Sequence, residues 1–283
     1  MPLMSALSRH LFHPLWDFKD GSRRLKVLRE LERSQWLAPA VLRLRQEERL
    51  RAMVRYAAEH SPYYQRLFRE HGLAAERFDP QVFAALPLLT KAVIRSSTAE
   101  ILSREFTPQQ LGQHKTGGST GVALTTYFDR NWLEVRTADA MRSDQWAGCY
   151  HGMKVAALWG NPPVAKTFKE RLRRGLIDRF VYLDTIDLNE RSIAAFVAAW
   201  RREHPEVLFG HSHSLYMLAR VLLEQGVADL RPRGIVSTSM MLLQNERRVI
   251  EEAFGCKVTD RYGCEEVGLI ACECEQHTGL HLD

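Results

Sequence analysis

The sequence predicts an α/β fold, with a helical N-terminal region followed by a largely parallel sheet and flanking helices. Three observations predict it. Beyond about residue 150, short apolar runs alternate with segments whose apolar residues recur at helical spacing. Before about residue 110, helical spacing dominates and the apolar runs are missing. The chain has 283 residues, 45% apolar and 26% charged, which is enough for a large core without disulfides or a metal.

The elements follow in order. Residues 25–57 carry apolar side chains among many Arg and Glu, which reads as amphipathic helix interrupted at Pro39. Ser61-Pro62 marks a break, and Pro62 suits the first turn of a helix bearing Tyr63, Tyr64, Leu67 and Phe68. Thr90 is placed to cap a helix beginning near Lys91. Strands are expected over 154–159, 179–183, 207–209, 234–237, 256–259 and 267–271. Between them, Asn189 caps a helix carrying Ile193, Phe196, Val197 and Trp200. Leu215, Leu218, Ala219 and Leu222 mark a second helical face ending at Gly226. A third helix spans 243–254 and stops at Gly255. The resulting division is a mainly helical region over 1–110 and an α/β region over 111–283.

Composition narrows the function classes. The net charge of +5 is small for this length and gives no electrostatic footprint for nucleic acid. No run approaches 18 uncharged apolar residues, so no membrane span is expected. Arg9, His10, His13 and Asp17 interrupt any leader-like apolar stretch, and the expected setting is cytoplasmic. No Gly-x-Ser-x-Gly elbow is present for a hydrolase.

In a parallel sheet, ligands bind where loops leave the carboxyl ends of the strands. Two loops there stand out. The first is His114-Lys115-Thr116-Gly117-Gly118-Ser119-Thr120-Gly121. Its glycines allow close backbone approach, its hydroxyls and N–H groups suit phosphate oxygens, and Lys115 adds charge. It is neither a Walker loop nor a Rossmann loop, and a plain flexible turn is the alternative. The second is Asp260-Arg261-Tyr262-Gly263-Cys264-Glu265-Glu266. Tyr262 could stack on a base and Glu266 could hold a divalent ion; the alternative is a polar turn with a core tyrosine.

Taken together, Lys115–Gly121, then Gly234-Ile-Val-Ser-Thr-Ser239, then Tyr262-Gly-Cys-Glu-Glu266 resemble the adenylate-forming acid–CoA ligases. Within them, the resemblance is to the phenylacetate–CoA ligase family and its capsular-polysaccharide-associated relatives. Ser61-Pro-Tyr-Tyr64, Leu86-Pro-Leu-Leu-Thr-Lys91 and Ala271–His281 extend it from about residue 45 to the chain end. It implies activation of a carboxylic acid with ATP and Mg²⁺ to an acyl-adenylate, with transfer to coenzyme A in complete relatives. Thr116, Gly117, Gly118, Ser119, Thr120 and Gly121 would wrap the phosphates, with Lys115 beside them. Ser237, Thr238 and Ser239 would border adenine, Tyr262 and Gly263 would lie beside the adenylate, and Glu266 would hold Mg²⁺. Met240 stands where an acidic residue is common. The resemblance further implies an incomplete large domain, with the small C-terminal domain absent. A separate chain supplying that domain, a homo-oligomer, or a noncatalytic nucleotide-binding or interaction protein are the readings that follow.

Five cysteines are present, four of them within residues 256–274. Cys272 and Cys274 would share one face of a strand, with His277 and His281 following. Thiolates and imidazoles suit zinc, although the spacing is not that of a finger, and small buried cysteines filling a core are the alternative. The resemblance points to Cys256, Cys274, His277 and His281 as the ligands of a structural zinc.

Overall fold

The structure is a computed structural model that describes residues 2–74, 77–115 and 123–282. The chain divides into two compact units, residues 1–31 with 134–283 and residues 32–133. In chain order the N-terminal helices are α1 (Leu3–Leu7), α2 (His13–Asp20), α3 (Arg24–Ser34), α4 (Pro39–His60), α5 (Pro62–Glu70), α6 (Pro80–Ala84) and α7 (Lys91–Ile101). The hairpin β1 (Gly112–Lys115) and β2 (Thr125–Phe128) and helix α8 (Arg130–Trp146) follow. Then come β3 (Val155–Trp159), α9 (Phe168–Leu176), β4 (Phe180–Asp184), α10 (Glu190–Glu203), β5 (Val207–His211), α11 (Ser212–Glu224), β6 (Gly234–Thr238), α12 (Gln244–Phe254), β7 (Val258–Cys264), β8 (Gly268–Glu273) and β9 (Leu280–Leu282).

The smaller unit is helical apart from the antiparallel β1–β2 pair. Its core is Val54, Phe68 and Leu73, with Tyr64, Phe83 and Leu86 packed against them. Pro39 and Pro62 both open helices, where their missing N–H costs nothing. Ser61 caps α5 by accepting from the Tyr64 N–H, and its hydroxyl is shared between the carbonyls of Glu100 and Ile101 at 3.1 and 3.0 Å. Thr90 caps α7 by accepting from the Val93 N–H. The β1–β2 hairpin was not expected from sequence, because two four-residue strands carry too little alternation to register.

The larger unit is built on one sheet with strand order β4-β3-β5-β6-β7-β8-β9. The first five strands are parallel and the last two pairings antiparallel. Leu158, Leu208, Ile235 and Val258 point to one face. There they meet Leu215, Leu218 and Leu222 of α11 and Ile250 and Phe254 of α12, all essentially without solvent exposure. Each such side chain contributes roughly 1.5–3 kcal/mol by leaving water. Val155, Val207 and Val236 point to the other face, against Cys149 and Met153. The helix stops are met as expected, with Gly226 and Gly255 both left-handed.

Leu3–Asp20 runs as α1, a π-helical turn over Ser8–Phe12, and α2. Its buried residues are polar: Ser5, Ser8, His13 and Asp17. Ser8 donates to the Leu176 carbonyl at 2.5 Å, and Arg179 donates to Ser5 Oγ at 2.9 Å. Arg24 joins Asp17 at 2.7 Å. No helix among the described residues is long and apolar enough to cross a membrane.

This polar seam makes stability depend on pH. Burial, with Arg24 and Arg173 adding repulsion, lowers the His13 imidazole from 6.5 to about 4. The unfolded chain therefore takes up a proton first as pH falls, and the stability contributed by neutral His13 is lost between pH 6.5 and 4. Denaturant unfolding at pH 7 and pH 5 is expected to differ by about 2 kcal/mol through His13 alone. A His13→Phe variant should shrink that difference by the same amount.

Candidate functional site

The strand order places a topological switch point in the sheet. The chain goes from β3 outward to β4, then returns past β3 to β5. Connections therefore leave β3 and β5 in opposite directions, which makes their carboxyl ends the place where parallel sheets take ligands. Trp159 ends β3 and His211 ends β5, and their rings stand 4.2 Å apart. Trp159 also stacks on Phe209 at 5.6 Å. Burial lowers the His211 pKa, which favours a neutral ring that can donate or accept a hydrogen bond. Beside them Asp184 ends β4 and accepts from the N–H groups of Asn161 and Ile186, at 3.3 and 3.0 Å.

The next strand along the same edge is β6. Ser237 is fully buried, and Ser239 just beyond has φ of 67°, an uncommon conformation for a side-chain-bearing residue. Ser212, the first residue of α11, explains how this turn is held. Its hydroxyl lies 2.7 Å from Ser237 Oγ and donates to the Met240 carbonyl at 2.7 Å. One hydroxyl carries one proton, so Ser237 must be the donor to Ser212. The N-cap of α11 is His211, without a side-chain bond, and Ser212 turns inward. Next to it, His213 Nδ1 lies 3.0 Å from Glu246 Oε1, and Glu246 also accepts from the Leu243 N–H at 3.4 Å. The Glu246 contact was missed in sequence because the residue's capping position in α12 was its only signal.

β7 supplies the third segment. Tyr262 presents 60% of its surface to solvent, large for an aromatic side chain in a strand. The ladder shifts register between Tyr262 and Gly263, which re-aims the end of the strand. A Cβ on Gly263 would stand 2.5 Å from the Gly268 carbonyl oxygen, so the crossing to β8 demands glycine. Glu265 pairs with Arg136 at 3.1 Å, while Glu266 lies exposed in the β7–β8 turn. Arg261, at the base of this segment, is held by Asp144 of α8 at 2.6 Å.

Of the sequence-predicted residues, Ser237, Thr238, Ser239, Tyr262, Gly263 and Glu266 therefore fall on the carboxyl edge of neighbouring parallel strands or the turn just beyond it. Lys115 belongs to the smaller unit, exposed at the end of β1. Thr116, Gly117, Gly118, Ser119, Thr120 and Gly121 lie outside the described residues.

The zinc expectation is corrected. Among the described residues no group of three or more His, Cys, Asp or Glu side chains is placed to hold a metal. Cys256 packs against the core of the α10–α12 face, and burial raises its thiol to about 11. His277 Nδ1 is engaged by Glu273 at 3.3 Å, which Arg247 also binds at 2.8 Å. His281 and Cys274 meet as a lone pair at 3.2 Å. The four candidates thus fill a core, a salt-bridge network and a strand pairing, and do not converge.

The hairpin geometry is directly testable. Gly263→Ala is expected to destabilise the protein by about 1–3 kcal/mol in denaturant titrations, because backbone must move. Gly175→Ala, in α9 with nothing within 4 Å of the added Cβ, should instead be neutral or stabilising.

No family model matches the chain. Protein CapK of Staphylococcus aureus is 22% identical over 224 residues, covering 78% of this chain and 49% of its own length. Phenylacetate-coenzyme A ligase of Thermus thermophilus is 25% identical over 252 residues, covering 85% and 55%. The chain therefore spans about half the length of the curated relatives it matches. Among solved structures, 2-hydroxyisobutyryl-CoA ligase with 2-HIB-AMP and CoA in its thioesterification state superposes with TM-score 0.65 at 21% identity, covering 86% of this chain and 54% of that one. Its open conformation gives TM-score 0.62 at 20% identity, covering 82% and 56%. The chain carries the fold of an adenylate-forming ligase domain and is homologous, at low identity, to acid–CoA ligases without matching a specific member.

Proposed function

We propose that this chain provides the nucleotide- and acid-binding core for ATP-dependent activation of a carboxylic acid to an acyl-adenylate. One observation carries the reading: the switch point marked by Trp159 and His211 adjoins the β6 and β7 ends, where the residues that resemble an adenylate-binding edge lie. Division of labour follows from chemistry. The β6 turn offers backbone groups for the edge of a base, and the exposed Tyr262 ring offers a stacking surface. Trp159, Phe209 and His211 offer an aromatic wall for the acyl part of the acid.

The residues fit the implied Mg²⁺ modestly. Mg²⁺ needs only one or two carboxylates when phosphate oxygens and water complete its shell, and Glu266 is an exposed carboxylate in the turn. When bound, the ion would neutralise charge on the phosphates. Lys115 and the 116–121 loop are assigned to the same phosphates as part of this proposal. AMP makes the activated carboxyl group reactive toward a thiol, and coenzyme A is the acceptor we assign. Under this reading, residues 1–110 form a helical region preceding the α/β part.

The test is carboxylate-dependent ATP–pyrophosphate exchange, with Mg²⁺ and a panel of aryl and aliphatic acids. Exchange with one acid class, reduced about 100-fold by Glu266→Ala, is the expected outcome. MgATP binding without exchange for any acid, and unaffected by Glu266→Ala, would favour a noncatalytic nucleotide-binding role.

A further inference from the structure

A second cavity, of about 300 Å³, lies toward the amino ends of the strands; it shares Phe209 with the aromatic wall above, but neither Trp159 nor His211 lines it. Its volume is at the lower end of the range for small-molecule sites. Val155, Val207, Phe209 and Val236 of the sheet and Met141 and Met153 give it a largely apolar wall. Helix α2 reaches it with His13, which packs edge-on against His151 at 5.2 Å. The position of the helix is fixed by close approach: a Cβ on Gly152 would stand 2.7 Å from the Arg9 backbone nitrogen.

The two imidazoles are incompletely satisfied. His13 is only 6% exposed. Arg24 approaches its Nδ1 at 3.1 Å, and a guanidinium has donors only, so Nδ1 accepts and Nε2 carries the proton. Among the described residues, that Nε2–H is buried with no protein partner, and so is Nδ1 of His151. An unmade bond at a buried polar atom is costly. The charges around the cavity, by contrast, are already compensated. Arg24 is paired with Asp17, Arg261 with Asp144 and Asp178 with Arg173, at 2.7, 2.6 and 2.6 Å. Arg179 donates to Ser5 and the Gly152 carbonyl and is offset by Glu206. Burial also holds both histidines neutral, His13 near 4 and His151 near 3. A free carboxylate entering here would find every lining arginine already engaged and Arg9 turned onto the Tyr150 ring at 4.4 Å, and burying it unpaired is unfavourable. Water would satisfy the imidazoles but find few partners along the valine, methionine and phenylalanine wall.

We propose that this cavity is a second binding site, for a neutral, mainly apolar molecule about the size of one aromatic ring, whose carbonyl oxygen accepts the His13 Nε2–H. Its chemistry differs from that of the proposed adenylation site, which takes anions. Because His13 comes from α2 and the apolar wall from the sheet, a ligand here also pins the N-terminal helix to the sheet.

The experiment is a methyl NMR titration of the full chain, ¹³C-labelled at Met and Val methyls, with benzamide, toluene and benzoate as matched probes. Benzamide is expected to shift the Met141, Met153 and Val207 methyls saturably, about tenfold more tightly than toluene. Benzoate should leave them unmoved at the same concentrations. His13→Phe should bring benzamide down to the toluene level while toluene binding holds within about twofold. If that variant does not fold, Val236→Phe, which fills the cavity from the sheet side, should abolish binding of both neutral probes. Benzamide binding no tighter than toluene, benzoate binding as well as benzamide, or no probe moving these methyls would overturn the proposal; the last result would mean a cavity filled by water alone.

Discussion

The parallel pairing of β5 with β6 is the interaction on which the rest of the larger unit depends. It sets Val207 beside Gly234 and Gly210 beside Ser237, and so fixes which side chains face each side of the sheet. A Cβ on Gly234 would stand within 1.9 Å of the Ala147 carbonyl oxygen, and one on Gly210 within 2.9 Å of Leu158 Cβ. The two strands can lie this deep only because these positions carry no side chain. Once they do, Leu208 and Ile235 enter the α11–α12 core, and α11 begins directly at the strand's end. That direct start brings Ser212 against Ser237 and shapes the turn through Met240. The core thus positions the candidate site through one buried pair of hydroxyls.

Two ends of one sheet carry different chemistry for the same reason. At the carboxyl ends, loops diverge and leave aromatic and polar groups exposed around Trp159, Ser239 and Tyr262. At the amino ends, the polar face of Leu3–Asp20 packs beside apolar sheet residues and borders a cavity with neutral imidazoles and engaged ion pairs. The roles we propose, a phosphate and a planar base at the first and an uncharged ring at the second, follow that difference.

Much of the fold was legible because strong periodic patterns coincide with strong punctuation. Pro39, Pro62, Thr90, Asn189 and Gly255 each sit at the helix boundary that their chemistry predicts. The strand Val258–Cys264 was expected over 256–259, because Asp260 and Arg261 read as loop; Glu273 and Asp144 hold that polar stretch in the ladder. The Leu3–Asp20 segment was not legible. Its leucines face solvent while Ser5, Ser8, His13 and Asp17 face inward, the reverse of the usual rule, so only tertiary partners reveal its seat. At the site, the β6 and β7 segments stood out by composition, whereas the Trp159–His211 contact joins residues 52 apart, as their numbering shows, and depends on strand order. The zinc reading failed because ligand types near one another in sequence fall on separate networks in space.

The central claim is that the β6 and β7 ends form the nucleotide-binding edge. Photo-crosslinking with 8-azido-ATP and Mg²⁺, followed by peptide mapping, tests it most directly. The account predicts label on the peptides containing residues 237–243 and 260–268, suppressed by excess ATP. ATP-protected label confined to other peptides would contradict it.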